Sequence, residues 1–352
     1  HIWVDQVSRK NYIQNELTKD IDPENIDEEL LSEVSYLVEK PTILKGTFNK
    51  KYLSVPQEVL IECMKKHQKY FPCFDNKKLT PNFLIVAENV TEKSKINIIK
   101  GNESVLIARL EDAKYFWEAD TKTSLADRSE KLKTVVFQKG LGSLFQKTER
   151  IQSLSEKISA TLSDKINLKI TLEIAKLCKN DLATSMVYEL PKLQGTMGRL
   201  IAENQKINQK IATGLETYYW PKFNGDQCPS DLEACIVSIA VKLDTIVCCF
   251  YNNLIPTGSQ DPWSIRRNIY AIIQTLYEKK IAINIHELIK DVYKTLKKEE
   301  KNYEKLIPFF EQRTKTFLIE KGVDYDCVEA VSHYLLDDFR KAAFVATELH
   351  HI

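Results

Sequence analysis

Along the first forty residues, apolar positions recur at helical spacing. In "NIDEELLSEVSYLVEKP", Leu30, Leu31, Val34, Leu37 and Val38 share one face, and Pro41 stops the helix. "TILKGTF" then reads as a strand, with Gly46 and Asn49 near a turn. "PQEVLIECMKK" puts Pro56 at a helix start and Val59, Leu60, Cys63 and Met64 on one side. "KYFPCFDNKKLTPNFLIVAEN" reads as two strands joined by a hairpin turn at Asp75-Asn76. After "YFWEADTK" the strand signals fade. "LADRSEKLKTVVF", "TERIQSLSEKISATLS", "LKITLEIAKLC", "DLEACIVSIAVKLDTIVCCFY", "SIRRNIYAIIQTLYEKK", "IHELIKDVYKTLKKEEK" and "DYDCVEAVSHYLLDDFRKAAFVATEL" each carry an i, i+3/i+4, i+7 apolar stripe.

This pattern predicts an α+β chain: a small mixed α/β N-terminal unit with antiparallel strands, then a mostly all-α region. Four segments are expected: a helical lead-in over 1–40, an α+β unit over 41–124, a helical domain over 125–280 and a helical linker region over 281–352. Leu182, Met186, Ile236, Ile239, Leu243 and Ile269 are expected to be buried in one bundle. The chain opens on His1 without a signal peptide, so the lead-in is expected to continue a domain that begins upstream.

Charge changes the picture only locally. Lys+Arg is 50 against Asp+Glu 49, so any contact with a polyanion must come from a patch rather than a general field. The chain contains no apolar run near 18 residues, which excludes a membrane span. The eight cysteines form no CxxC pair, so they read as small buried hydrophobes in a reducing compartment. The glycines of "GLGS" and "LQGTMG" lack the strand-turn-helix setting of a phosphate loop and read as turns or helix ends. No Ser/His/Asp set, HIGH-like tetrapeptide or KMSKS-like loop is present.

Several strings together carry a resemblance. They are "HQKYFPCFD" with "LTPNFLIVAEN", "GNESVLIARLEDAKYFWEAD", "LKTVVFQKGLGSLFQKTERI", "CKNDLATSMVYELPKLQGTMG", "KLDTIVCCF" and "PTGSQDPWSIRR", in that order from residue 67 to 267. In this order they resemble the β subunit of heterotetrameric, bacterial-type glycine–tRNA ligase. The resemblance implies a central fragment of a longer subunit, with an HD-like helical domain, that binds tRNA(Gly) in the cytoplasm. It implies an α subunit as partner, which holds the glycine site and uses ATP and Mg, and no cofactor or metal in this chain. It departs from the family after "QGTMG": Ile201 stands where Tyr is common, and Lys206-Ile207 where Gly-Glu is common.

An active HD phosphohydrolase holds metal with histidines and aspartates. The matching positions here are Asn180, Asp181 and Asp244, and no His lies between residues 68 and 285. The resemblance therefore implies a degenerate, metal-free HD core, with Asp181 capping or pairing inside it. A divergent phosphohydrolase and a non-catalytic interaction scaffold are the competing readings. His67 reads as a polar residue at a helix-to-strand junction; as a metal ligand it would need Cys63 and Cys73 beside it. Lys65, Lys66 and Lys69 are candidates for an RNA-facing rim. Asp261 is placed to cap a helix opening at Trp263 or Ser264. Arg266 and Arg267 then sit in its first turn, where cations oppose the helix dipole, which calls for an anion: an internal carboxylate such as Asp244, or an RNA phosphate.

Overall fold

The computed structural model describes residues 4–162, 166–258, 260–297 and 299–351; His1 lies outside them. The first elements are α1 (Gln6–Leu17), α2 (Glu28–Leu37), β1 (Pro41–Thr47), α3 (Gln57–Cys63), β2 (Phe71–Asp75), β3 (Lys78–Glu88) and α4 (Glu92–Thr121). Next come α5 (Ser129–Leu132), α6 (Leu144–Ala160), α7 (Leu168–Leu177), α8 (Ser185–Glu189), α9 (Thr196–Asn204), α10 (Gln209–Thr217) and α11 (Leu232–Tyr251). The last are α12 (Ile265–Lys279), α13 (Ile285–Leu296), α14 (Tyr303–Glu320), α15 (Tyr325–Ala330) and α16 (Phe339–His350).

The chain forms two compact units. One holds the residues up to Thr123 together with Thr184–Leu193; the other holds Ser124–Ala183 and everything from Gln194. The segment limits expected at 40 and 280 are therefore not unit boundaries. Residues 1–40 share a core with the sheet: Ile13, Leu17, Leu31 and Val34 pack with Phe71, Cys73 and Leu84. The 281–352 stretch is no linker, since α13 packs on α6 and α11, and α14 and α16 pack on α12.

In the first unit three antiparallel strands run in the order β1-β3-β2. The β2–β3 loop is Asn76-Lys77, one residue later than the sequence indicated. Both loop residues have positive φ, 46° and 65°, as a tight two-residue hairpin requires. Alternation along β3 splits its side chains. Leu84 and Val86 face α1 and α2, while Phe83 stacks on Tyr70 at 4.8 Å and lies across Gly46. A Cβ at Gly46 would come within 2.5 Å of the Phe83 ring, so the strand is glycine there. Helix α4 was not read from the sequence. Over thirty residues it buries only Leu106, Leu110, Ala113 and Asp120, too thin a stripe to register, and a Thr91–Ser94 capping box starts it.

The second unit is built around α11, which packs on α6, α7, α10, α12, α13 and α14. Contrary to the hydropathy reading, α11 is long and apolar enough to cross a membrane, with a mean hydropathy of 1.9. It is the only such helix among the described residues, and 89% of that stretch is buried, as in a core helix. "LADRSEKLKTVVF" yields only the short α5. "DYDCVEAVSHYLLDDFRKAAFVATEL" breaks into α15 and α16, because Asp338 caps a new helix by accepting the Lys341 N–H at 3.1 Å. The burial forecast holds for Ile236, Ile239, Leu243 and Ile269. It is corrected for Leu182, which is half-buried, and for Met186, which is fully buried but in the first unit. There the Asp120 carboxylate accepts the Ser185 and Met186 N–H groups and ties α8 to the end of α4.

The loop that departs from the family pattern closes α9. The Lys206 N–H donates to the Glu203 carbonyl and the Ile207 N–H to the Ala202 carbonyl, while Lys206 has a φ of 57°. That is a Schellman closure, which favours glycine at the position Lys206 occupies. Lys206→Gly is therefore expected to stabilise the chain by about 1 kcal/mol, read as a higher urea midpoint at unchanged slope.

Candidate functional site

Asn180, Asp181 and Asp244 lie in the second unit, and all three are buried. Asn180 and Asp181 open the 3-10 turn that follows α7. The Asn180 amide donates to the Leu125 carbonyl at 2.8 Å and to Ser129 Oγ at 2.9 Å. The Asp181 carboxylate accepts the Gly195 N–H and so holds the turn into α9. Gly195 has a φ of 84°, and a Cβ there would meet the Tyr219 ring at 2.7 Å. Burial pushes the Asp181 carboxyl up to about 6.

Asp244, on α11, is engaged on both oxygens. Arg150 Nε donates to Oδ1 at 2.5 Å and Lys147 Nζ to Oδ2 at 2.6 Å. Lys147 also reaches Thr245 Oγ1 at 2.9 Å and sits 4.0 Å from the centre of the Phe137 ring. Burial alone would raise the Asp244 pKa, but Lys147 and Arg150 outweigh it and hold the carboxyl below its usual range. A divalent ion at Asp244 would have to displace two bonded cations, and the Asn180 amide turns its donor face to a carbonyl and a hydroxyl. This donor set does not suit a metal, and no group of three or more His, Cys, Asp or Glu among the described residues is arranged to hold one.

Two further buried cations line this core, and sequence reasoning missed them together with Lys147 and Arg150. Lys179 Nζ donates to the Tyr218 hydroxyl at 3.1 Å and packs over the Tyr218 and Tyr219 rings. Lys242 Nζ donates to Ser238 Oγ at 2.6 Å and to the Trp220 carbonyl at 3.0 Å. The signal was present: Lys242 interrupts the apolar run of α11, and Lys147 and Arg150 share the α6 face that carries Ile151, Leu154 and Ile158.

These lysines have a pH signature. Burial, with a push from Lys179, lowers Lys242 to about 7; burial, with a smaller push from Lys147, lowers Lys179 to about 8. From pH ~7 to ~8.5 the unfolded chain keeps both protons while the folded chain loses them, so stability should rise with pH, by on the order of 1 kcal/mol. Above ~8.5 the sign reverses: unfolded thiols ionise, whereas burial pushes Cys63, Cys235 and Cys248 up to about 12. Urea midpoints against pH check this, and Lys242→Met should flatten the rising limb.

The lysines expected on an RNA rim lie in the first unit and have local partners. Lys65 pairs with Asp27 at 2.9 Å, Lys69 with Glu33 at 2.8 Å, and Lys66 donates to the Glu189 carbonyl. His67 sits in the turn between α3 and β2, with Nε2 3.6 Å from Glu189 Oε1. Cys63 points at α4, donating to the Arg109 carbonyl, whereas Cys73 packs under α1 and α2, so the three are not gathered.

The arginines lie in the second unit, in the first turn of a helix that starts later than expected. α12 begins at Ile265, and the Asp261 carboxylate accepts the Ile265 and Arg266 N–H groups at 2.8 and 2.9 Å. Asp244 does not serve these arginines, because Lys147 and Arg150 hold it. Arg267 donates to Ser264 Oγ at 2.9 Å. Neither Arg266 nor Arg267 has an ion pair among the described residues, so the internal salt bridge is not formed.

Comparison with known proteins agrees with the motif order. A family model described as "Glycyl-tRNA synthetase beta subunit" matches residues 1–333. The chain is 38% identical over 347 residues to the glycine–tRNA ligase beta subunit of Halalkalibacterium halodurans, covering 94% of this chain and 50% of that protein. It is 40% identical over 357 residues to that of Clostridioides difficile, covering 99% and 52%. With that of Bacillus subtilis the identity is 39% over 337 residues, covering 94% and 49%. The chain thus spans about half the length of the curated relatives it matches.

Proposed function

The chain belongs to the glycyl-tRNA synthetase beta subunit family, and from that premise we propose that it binds and positions tRNA(Gly) for ATP-dependent glycylation carried out with an α subunit in the cytoplasm. On this reading ATP and Mg act at the α subunit, and this chain serves without catalysing. The family match across residues 1–333 carries the proposal.

The core of the second unit supports the non-catalytic part. The aspartate a phosphohydrolase would use as a metal ligand corresponds to Asp244, whose carboxylate is instead paired with Lys147 and Arg150. A divergent hydrolase would need Asp244 free to ligate. No observation favours that reading or a scaffold without an RNA role.

The test is reconstitution with an α subunit, measuring glycylation of tRNA(Gly) with and without this chain. Alone, the chain is expected to show no glycine-dependent ATP–pyrophosphate exchange. It is expected to bind tRNA weakly, with a log affinity against log salt slope of roughly 2–4, as three to five phosphate contacts imply. Exchange by the chain alone, or salt-independent binding, would overturn the proposal.

A further inference from the structure

Three arginines stand on two packed helices of the second unit, α12 and α14. Arg266 and Arg267 stand in the first turn of α12 and Arg313 on α14, and the rings of Tyr270 and Phe317, one turn beyond Arg266 and Arg313, have their centres 5.2 Å apart. Among the described residues none of the three has an ion pair. The nearby carboxylate, Asp261, spends both oxygens on the Ile265 and Arg266 amides. The carboxylate that acts on Arg313 is thus already used as a cap. Burial, and after it the Arg266 charge, lower the Arg313 pKa, and the Asp261 charge offsets only part of this.

Arg313 is mounted on an aromatic pair. The Arg313 guanidinium lies 4.1 Å from the centre of the Phe309 ring, and Phe309 packs edge-on against buried Phe250 at 5.5 Å. Arg313 also donates to Gln312 Oε1 at 2.7 Å. Three residues before Arg266, Trp263 is 39% exposed and lines a cavity of about 420 Å³ with Phe137, Lys139 and Leu254. A folded chain keeps such an uncompensated cluster at a cost unless an anion completes it. Planar guanidinium forks suit phosphate oxygens, and an exposed indole beside them offers a face on which a base can stack.

We propose that Arg266, Arg267 and Arg313 form a phosphate clamp for an RNA strand, with Trp263 as the adjoining stacking surface. The proposal rests on the reading that this chain handles tRNA, and it locates the contact in the second unit rather than on the paired lysines of the first.

The test is binding of a tRNA(Gly) transcript over a salt series by the wild-type chain and by the Arg266→Gln/Arg313→Gln double variant, with melting temperatures recorded. The double variant should lose about two phosphate contacts, so its salt slope should fall by about 1.4–1.8 and its affinity by tenfold or more, while its melting temperature holds or rises. Should it melt early, exposed Arg267→Gln carries the test, with an expected slope change of about 0.7–0.9. Arg313→Lys should keep the slope yet bind more weakly, because charge remains and the fork is lost. A wild-type chain that does not bind tRNA would overturn the tRNA reading itself. Salt-dependent wild-type binding with an unchanged slope in the variants would overturn the clamp alone. Loss of binding to a poly-glutamate probe, with tRNA binding intact, would overturn it in favour of an acidic protein partner.

Discussion

Replacing Asp244 by alanine is expected to destabilise the helical unit by about 3–5 kcal/mol, because it strands the buried Lys147 and Arg150 charges. The carboxylate is fully buried, and its oxygens are the shared acceptor of both cations. Asp244→Asn, which keeps the shape and loses the charge, should cost a large part of the same amount. The triple change of Lys147, Arg150 and Asp244 to apolar residues of similar volume should recover much of it, since no unpaired charge then remains. The acid limb adds a second reading. The Asp244 carboxyl is held below its unfolded value, so its stabilisation is present above about pH 3.9 and is lost as pH falls through the folded value. Asp244→Asn should therefore be less sensitive than wild type to acidification below about pH 4. Urea unfolding followed by circular dichroism measures all of these. A loss under about 1 kcal/mol for Asp244→Ala would mean that the cations find water or another partner.

Leu243→Ala should cost about 2–5 kcal/mol, the range for emptying a core site. Leu243 is 1% exposed on α11, the helix on which six others pack. The neighbours are helices fixed by their own contacts, so the space cannot collapse cheaply. Half-buried Leu182 is the internal comparison: Leu182→Ala should cost clearly less, because part of its surface already meets water. Denaturant midpoints at unchanged slope give both values. Equal costs at the two positions would show that residual cavity volume is not what sets the penalty.

The apolar periods were enough to read α2, α3, α6, α7, α11, α12 and α13 and the three strands, because each carries a stripe or alternation dense enough to stand out locally. Other stretches carried weaker local signals. α4 buries few side chains along its length, and α9 and α10 are short helices punctuated by glycine and polar residues. The break between α15 and α16 depends on one capping aspartate. The motif order carried the family, since side-chain identities in sequence are what a family preserves on the chain itself.

Partnership lay beyond the sequence. That no histidine lies between residues 68 and 285 is written in the residues. That Asp244 is instead filled by Lys147 and Arg150, 97 and 94 positions away, is not, because an ion pair is set by which helix faces meet. The same reason separates the cations proposed for RNA. Lys65, Lys66 and Lys69 look as free in the chain as Arg266 and Arg267 do, and only folding brings Asp27, Glu33 and the Glu189 carbonyl to the lysines while bringing no ion pair to the arginines among the described residues. Local periodicity and residue identity are properties of neighbouring positions and are legible one helix at a time; the charge that meets another charge across a core is decided by packing, and only the tertiary structure holds it.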